Sequence, residues 1–249
     1  MKIHRFFIDS DLIGGADLTV RDAAIVRQMK TVLRLRQGSA VSFFNDRGQE
    51  ARARLVRLGA DYVVGHVEEM KAESIDAPVS VTLYCAILKR ENFEWVAQKA
   101  TEAGVQALVP CVTDRTIKQR IVPERISAIM REAAEQSGRT SVPVLEEIAP
   151  FAGALDAALV TNASCVFLDP RGAKIDIRPA VAARGGTVAI FVGPEGGWSE
   201  KEYALARTRG LLVLSLGSMV LRGETAAVIG AYLAAQGFLT QVIDKVKNK

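Results

Sequence analysis

From Val79 onward, apolar β-rich runs alternate with stretches of helical character, and this alternation limits the fold more than any other feature of the chain. The runs are Val79–Leu88, Ala107–Val112, Val142–Ile148, Cys165–Leu168, Thr187–Gly193 and Leu211–Leu216. Between them, Asn92–Ala103 carries an apolar face and stops at Gly104, a glycine C-cap. Pro123–Ser137 opens with proline at a first-turn position, Ser199-Glu200-Lys201-Glu202 is a capping box, and Gly223–Gly237 is alanine-rich and helical. Strands that are apolar along their whole length need cover on both faces, so the pattern predicts an α/β fold with a parallel, doubly covered sheet. A functional site then belongs at the carboxyl ends of the strands.

Residues 1–72 read differently. Short alternating segments appear at Ala40–Phe44, Ala51–Val56 and Tyr62–Val67, with Asn45-Asp46-Arg47-Gly48 as a hairpin turn between the first two. One helix fits Arg21–Val32. The expectation is a small all-β barrel with a helical insertion. Within the polar, proline-terminated stretch Glu69–Pro78, residues 73–78 serve as a linker, and residues 79–249 form the second domain. No apolar run approaches the roughly 18 residues that span a bilayer, and Met1–Phe7 has no signal-peptide pattern. The expected setting is soluble and cytoplasmic, with no membrane partner.

The net charge of +4 is unevenly spread. Residues 21–57 hold nine Lys or Arg against Asp22, Asp46 and Glu50, an excess of +6. Such clustering suits a polyanionic partner, or equally a solvated barrel face. The three cysteines, Cys85, Cys111 and Cys165, lack metal-ligand spacing and sit in apolar segments. With only His4 and His66 present, a histidine-held metal or a Ser-His-Asp triad is hard to build in the second half, and no metal is expected.

The usual nucleotide fingerprints are missing: no GxxxxGK[ST], no GxGxxG opening a helix, no GxSxG. Two loops stand out instead, each directly after a strand. One is Gly193-Pro194-Glu195-Gly196-Gly197-Trp198-Ser199, and the other runs from Leu216-Gly217 through Val220-Leu221-Arg222 to Glu224-Thr225. Glycine lets backbone lie against a ligand, and exposed backbone groups beside Leu and Val suit a flat adenine and a thioether. The same residues could also be two structural turns with helix caps.

These two loops closely resemble the SPOUT class of methyltransferases and, within it, the RsmE family of ribosomal RNA small-subunit methyltransferases acting on N3 of uridine 1498. Arg5-Phe6-Phe7, Val32-Leu33-Arg34-Leu35 with Gly38, Gln98 to Val105 followed by Arg115, and Glu132 to Arg139 followed by Val142-Pro143 match further motifs in order. Gln28 and Gly223 stand where the family often has histidine and threonine. The resemblance implies a PUA-like N-terminal barrel, a C-terminal trefoil knot and a homodimer. It implies S-adenosylmethionine held by Leu168, Gly193, Pro194, Gly196, Gly197, Leu216, Gly217, Val220, Leu221, Arg222 and Thr225. The partner it implies is 16S rRNA of the small ribosomal subunit, with Arg5, Lys30, Arg34, Arg36, Arg115 and Arg139 as the expected contacts. Arg222 is the candidate for stabilising charge on the uracil ring, and Glu195 and Glu224 are candidate bases or orienters. Glu224 is equally a helix N-terminal carboxylate. Rival readings are a SPOUT enzyme for another RNA site, a non-catalytic ribosome-assembly protein on the same scaffold, and a Rossmann-type oxidoreductase.

Overall fold

A computed structural model describes residues 3–45, 47–71, 77–117, 120–162, 164–175 and 186–239. The chain divides into two compact units: Met1–Asp76 with Ala134–Val142, and Ala77–Ala133 with Pro143–Lys249. Of the expected linker, residues 73–76 lie outside the described residues, as does Asp46 of the expected hairpin turn.

The first unit is built on a five-stranded sheet. Its strands are β1 (His4–Phe7), β2 (Asp17–Val20), β3 (Ala40–Phe44), β4 (Glu50–Leu58) and β5 (Val63–Lys71), in the spatial order β1-β3-β4-β5-β2. β1 runs parallel to β3 and the other pairs are antiparallel. The alternation in β4 does what period-2 patterning requires. Ala51, Ala53 and Leu55 are buried, while Arg52 and Arg54 point to solvent. Phe6, Phe43, Met29 and Val41 close the core beneath them.

The helix expected over Arg21–Val32 forms in two parts, α1 (Ala23–Arg27) and a π-helical turn (Gln28–Val32). Asp22 caps it by accepting from the N–H groups of Ala24 and Ile25. After the π-turn, Arg34 takes φ +51°, a left-handed conformation that is costly for a residue with a Cβ. The N–H of Leu35 donates to Met29 O at 2.8 Å across it.

The second unit contains β6 (Ser80–Ala86), α2 (Arg90–Ala103), β7 (Ala107–Val112), α3 (Pro123–Ser137, its last turn in the first unit), β8 (Val144–Leu145), β9 (Ala149–Pro150) and α4 (Phe151–Thr161). It continues with β10 (Ser164–Lys174), β11 (Thr187–Val192), α5 (Glu200–Thr208), β12 (Leu212–Ser215) and α6 (Gly223–Ala235). The strands form one sheet in the order β12-β10-β11-β6-β7-β8, with β9 beside β7, and every pair is parallel. Residues 188–192 of β11 are all buried, as a doubly covered strand must be. Ala189 and Phe191 pack with Phe151 and Leu155 of α4 and Ala206 of α5. Ile190 and Leu168 meet α6 at Gly230, where a Cβ would lie 2.6 Å from Leu168 Cδ1.

In this unit three features depart from the sequence expectation. α4 joins the helices already anticipated, the run Val142–Ile148 pairs only at Val144–Leu145, with the short β9 after it, and β10 runs well past Leu168. β10 meets β12 twice at the same residue: Leu168 and Ala173 both register with Leu214. The four residues Asp169–Gly172 therefore loop out as a bulge between two pairings. No helix among the described residues is long and apolar enough to cross a membrane.

Candidate functional site

Because the strands are parallel and β10 lies between β12 and β11, the bulge within β10 and the segments that follow β11 and β12 meet. They surround a cavity of about 550 Å³, within the range of roughly 300–1,000 Å³ that holds a nucleoside-sized ligand. Leu168, Asp169 and Pro170 line it from within β10, at the bulge; Gly193, Pro194, Glu195, Gly197 and Trp198 line it after β11, and Leu216, Val220, Leu221, Arg222 and Glu224 after β12; Lys89 and Asn92 close another side.

The glycine segment is shaped by its neighbours. Trp198 is 5% exposed, stacks on Phe167 at 4.4 Å and donates its indole N–H to Leu168 O at 3.0 Å. A Cβ on Gly193 would sit 3.0 Å from that indole, so a larger residue there would displace the loop or the ring. The N–H of Gly197 bonds to Pro194 O, and φ of +68° at Gly197 closes this turn. The expected capping box is present: Ser199 and Glu202 cap each other's N–H. It also reaches beyond α5, because Glu202 accepts the Asp114 N–H at 2.9 Å and Ser199 Oγ donates to Asp114 at 2.6 Å.

Of the residues expected at a cofactor, Leu168, Gly193, Pro194, Gly197, Leu216, Val220, Leu221 and Arg222 line the cavity. Gly196, Gly217 and Thr225 belong to the same segments but are not among the lining residues. All three catalytic candidates are lining residues. Arg222 is exposed at the N-cap of α6. Glu195 accepts the Lys89 N–H at 3.0 Å, which ties its carboxylate to the start of α2. Glu224 presents a buried Oε2 with no hydrogen-bond partner among the described residues.

The residues expected at RNA are placed unevenly. Arg5 is internal to the first unit. Its guanidinium forks onto Glu50 and donates to the carbonyls of Ala134, Glu135 and Arg139. Five N–H groups serve five acceptors, which leaves none for a phosphate. Arg139 is 5% exposed and is likewise an internal group. Lys30 bonds to the carbonyls of Gly59 and Ala60. Arg115 is exposed and spends one N–H on Gly196 O at 2.8 Å. Arg34 and Arg36 are exposed.

Sequence reasoning missed Asp169, Pro170, Lys89 and Asn92 at the cavity. For Lys89 and Asp169 the signal was available, since each directly follows an apolar run, Val79–Leu88 and Cys165–Leu168; Asn92 lies in the first turn of α2 and Pro170 inside the β10 bulge, where no run marks them. It also missed Asp114, which no local pattern ties to α5.

An RNA methyltransferase domain model matches residues 76–235. The Ribosomal RNA small subunit methyltransferase E of Synechocystis sp. is 30% identical over 237 residues, covering 91% of this chain and 75% of its own. This chain belongs to the ribosomal RNA small subunit methyltransferase E family. The Bacillus subtilis member of that family is 28% identical, covering 88% of this chain and 89% of its own. Among solved structures, the Neisseria gonorrhoeae family member bound to S-adenosyl methionine superposes with TM-score 0.79 at 28% identity, covering 92% of this chain and 95% of its own. A Legionella pneumophila protein solved with the bound cofactor SAM gives TM-score 0.82 at 28% identity, covering 94% and 98%.

Proposed function

We propose that this chain methylates N3 of the uridine at position 1498 in 16S rRNA of the small ribosomal subunit, using S-adenosylmethionine, as a cytoplasmic homodimer. The observation that carries the reading is the meeting of the β10 bulge and the segments after β11 and β12 on one cavity, apolar in its Leu168, Leu216, Val220 and Leu221. That lining fits a purine and a thioether far better than a phosphate chain. The unpaired buried oxygen of Glu224 supports ligand binding as well, because such an atom costs about 1–3 kcal/mol until something donates to it. A PUA-like first domain over residues 1–72 and a trefoil knot in residues 79–249 complete the proposal. The homodimer is supported by Ile229 and Tyr232 of α6, which are 38% and 51% exposed.

Bound S-adenosylmethionine supplies a methyl group already activated by the positive sulfur. The protein then has to orient the acceptor and handle one proton. N3 lies on the pairing edge of uracil, so the base must be unpaired or flipped to react. Loss of the N3 proton puts negative charge on the ring oxygens, and Arg222 at the cavity is the cation that stabilises it. Glu224 is the group suited to hold the departing proton. Glu195, engaged by the Lys89 N–H, orients the glycine segment.

The deciding experiment is methyl transfer to small subunits lacking the modification, with the product located by mass spectrometry of digested rRNA. Wild type should methylate one uridine, and Arg222→Ala should lose about two orders of magnitude in kcat. Turnover unchanged in that variant would remove Arg222 from the chemistry. Absence of any methylated uridine with wild type would remove the reaction and favour a non-catalytic role in ribosome assembly.

A further inference from the structure

Between the cavity and α5 lies an ion-pair cluster that neither the motifs nor the proposed chemistry uses. Asp169, which with Pro170 lines the cavity from the β10 bulge, is only 6% exposed. Both its oxygens are taken by Arg171. Oδ1 accepts the Arg171 backbone N–H at 2.8 Å and Nε at 2.9 Å, and Oδ2 accepts Nη2 at 3.0 Å. The remaining arm of the guanidinium, Nη1, reaches Glu200 Oε1 at 2.7 Å in the first turn of α5. The plane of the group lies 3.7 Å from the Tyr203 ring centroid, one turn further along.

One side chain thus grips two cavity walls. The bulge within β10 forms one wall, and the glycine segment that forms another runs straight into α5. The bulge needs such a brace. Between its two pairings with Leu214 the regular register is interrupted, and Gly172 passes so close to β12 that a Cβ would lie 2.7 Å from the Leu214 backbone. Trp198 holds the inner end of the bulge through Leu168 O, and Arg171 holds its outer end. Only arginine can do this. Its fork spans a bidentate carboxylate and a third acceptor while stacking on an aromatic face, which a point-charge ammonium cannot match.

We infer that Arg171 is a positioning residue for the cofactor cavity: by bracing the Asp169 bulge against α5 it pre-forms the pocket, and its loss weakens S-adenosylmethionine binding far more than it slows the bound enzyme. This rests on the proposed function, since it takes the cavity as the cofactor site. A pocket already shaped avoids the ordering cost at binding, so the effect belongs in affinity.

The test is calorimetric titration of S-adenosylmethionine, with steady-state KM and kcat, on full-length wild type, Arg171→Ala, Arg171→Lys and Arg209→Ala. Arg209 pairs with Asp156 at the far end of α5, so its variant reports general loosening of that helix. Arg171→Ala should raise Kd and KM for the cofactor about tenfold, roughly 1.4 kcal/mol, with kcat at saturation down by much less. Arg171→Lys should remain clearly weaker than wild type, and Arg209→Ala should bind as wild type does. Unchanged affinity in Arg171→Ala, full recovery in Arg171→Lys, or an equal loss in Arg209→Ala would each overturn the inference. Should Arg171→Ala not fold, the double variant Glu200→Ala/Tyr203→Ala removes both α5 contacts of Arg171 and leaves its Asp169 pair, and unchanged Kd there would overturn it too. Wild type that binds no S-adenosylmethionine would remove the proposed function along with the brace, whereas unchanged Arg171→Ala removes the brace alone.

Discussion

Glu224 has one carboxylate oxygen buried and unpaired at the cavity wall, in the first turn of α6. If that oxygen takes the N3 proton, Glu224→Gln should lower kcat by about two orders of magnitude and leave cofactor Kd within a few-fold. Single-turnover assays paired with calorimetry separate the two, and an unaffected kcat would make Glu224 an ordinary helix-start carboxylate. Arg34 offers a second single-residue test. Its positive φ is strained, and the side chain is exposed in the basic segment. Arg34→Gly should raise unfolding stability by up to about 1 kcal/mol, since glycine bears no Cβ penalty there. The same variant should weaken RNA binding. Opposite signs in thermal melts and filter binding would mark strain kept for function; weaker stability in the glycine variant would remove the strain argument. Arg34 was legible as a candidate from sequence, but its backbone conformation was not, because an arginine in the left-handed region follows from the π-turn before it.

Elements of the first unit are joined through Glu50 at the start of β4. Arg5 from β1, Ser42 from β3 and Lys71 from β5 all hydrogen-bond to its carboxylate. Burial by itself would raise its pKa; the hydrogen bonds from Arg5, Lys71 and Ser42 outweigh that and hold it down to about 2. The unfolded value is near 4.5. A depressed carboxylate contributes stability that is fully present above its unfolded pKa and is lost as pH falls toward the folded one. Stability of this unit should therefore drop by on the order of 3 kcal/mol between pH 4.5 and 2. Urea melts across that window should show the drop in wild type and a flatter profile in Glu50→Gln; parallel profiles would refute the linkage. Element boundaries were unevenly legible. α3 begins and ends at the expected Pro123 and Ser137, because proline and the apolar stripe are local signals. α4 was not foreseen, since its N-cap Pro150 provides no side-chain cap and Phe151–Thr161 has little polar face. The second half of β10 was hidden by Asp169-Pro170-Arg171-Gly172, a polar stretch that ends the apolar run and forms a bulge inside the strand.

Across the whole molecule, charge is partitioned. Residues 21–57 contribute +6 of a net +4, so the remainder of the chain is −2. Arg27, Arg34, Arg36, Arg52 and Arg57 of that segment are all exposed. If they neutralise about five phosphates, log affinity for the rRNA should fall against log salt with a slope of roughly −3 to −5. Replacing Arg34 and Arg36 with glutamine should make that slope shallower by about 2. A slope near zero would remove the basic face as the RNA contact. The sequence by itself determined the local features: the alternation that calls for a parallel sheet, the caps, the glycine segments and the sign of the charge. Those depend on neighbours a few residues away, which periodicity and turn chemistry report directly. Only the tertiary structure decided which loops meet, because β12 pairs with β10 rather than with β11, its neighbour in sequence. That ordering brings Leu168, Gly193 and Leu216 around one cavity, and sets Arg171 between two of its walls. It also turned Arg5 inward. No pattern of charges separates an arginine facing solvent from one whose donors are all consumed by carbonyls and a buried carboxylate, for that difference arises from contacts far apart in the chain.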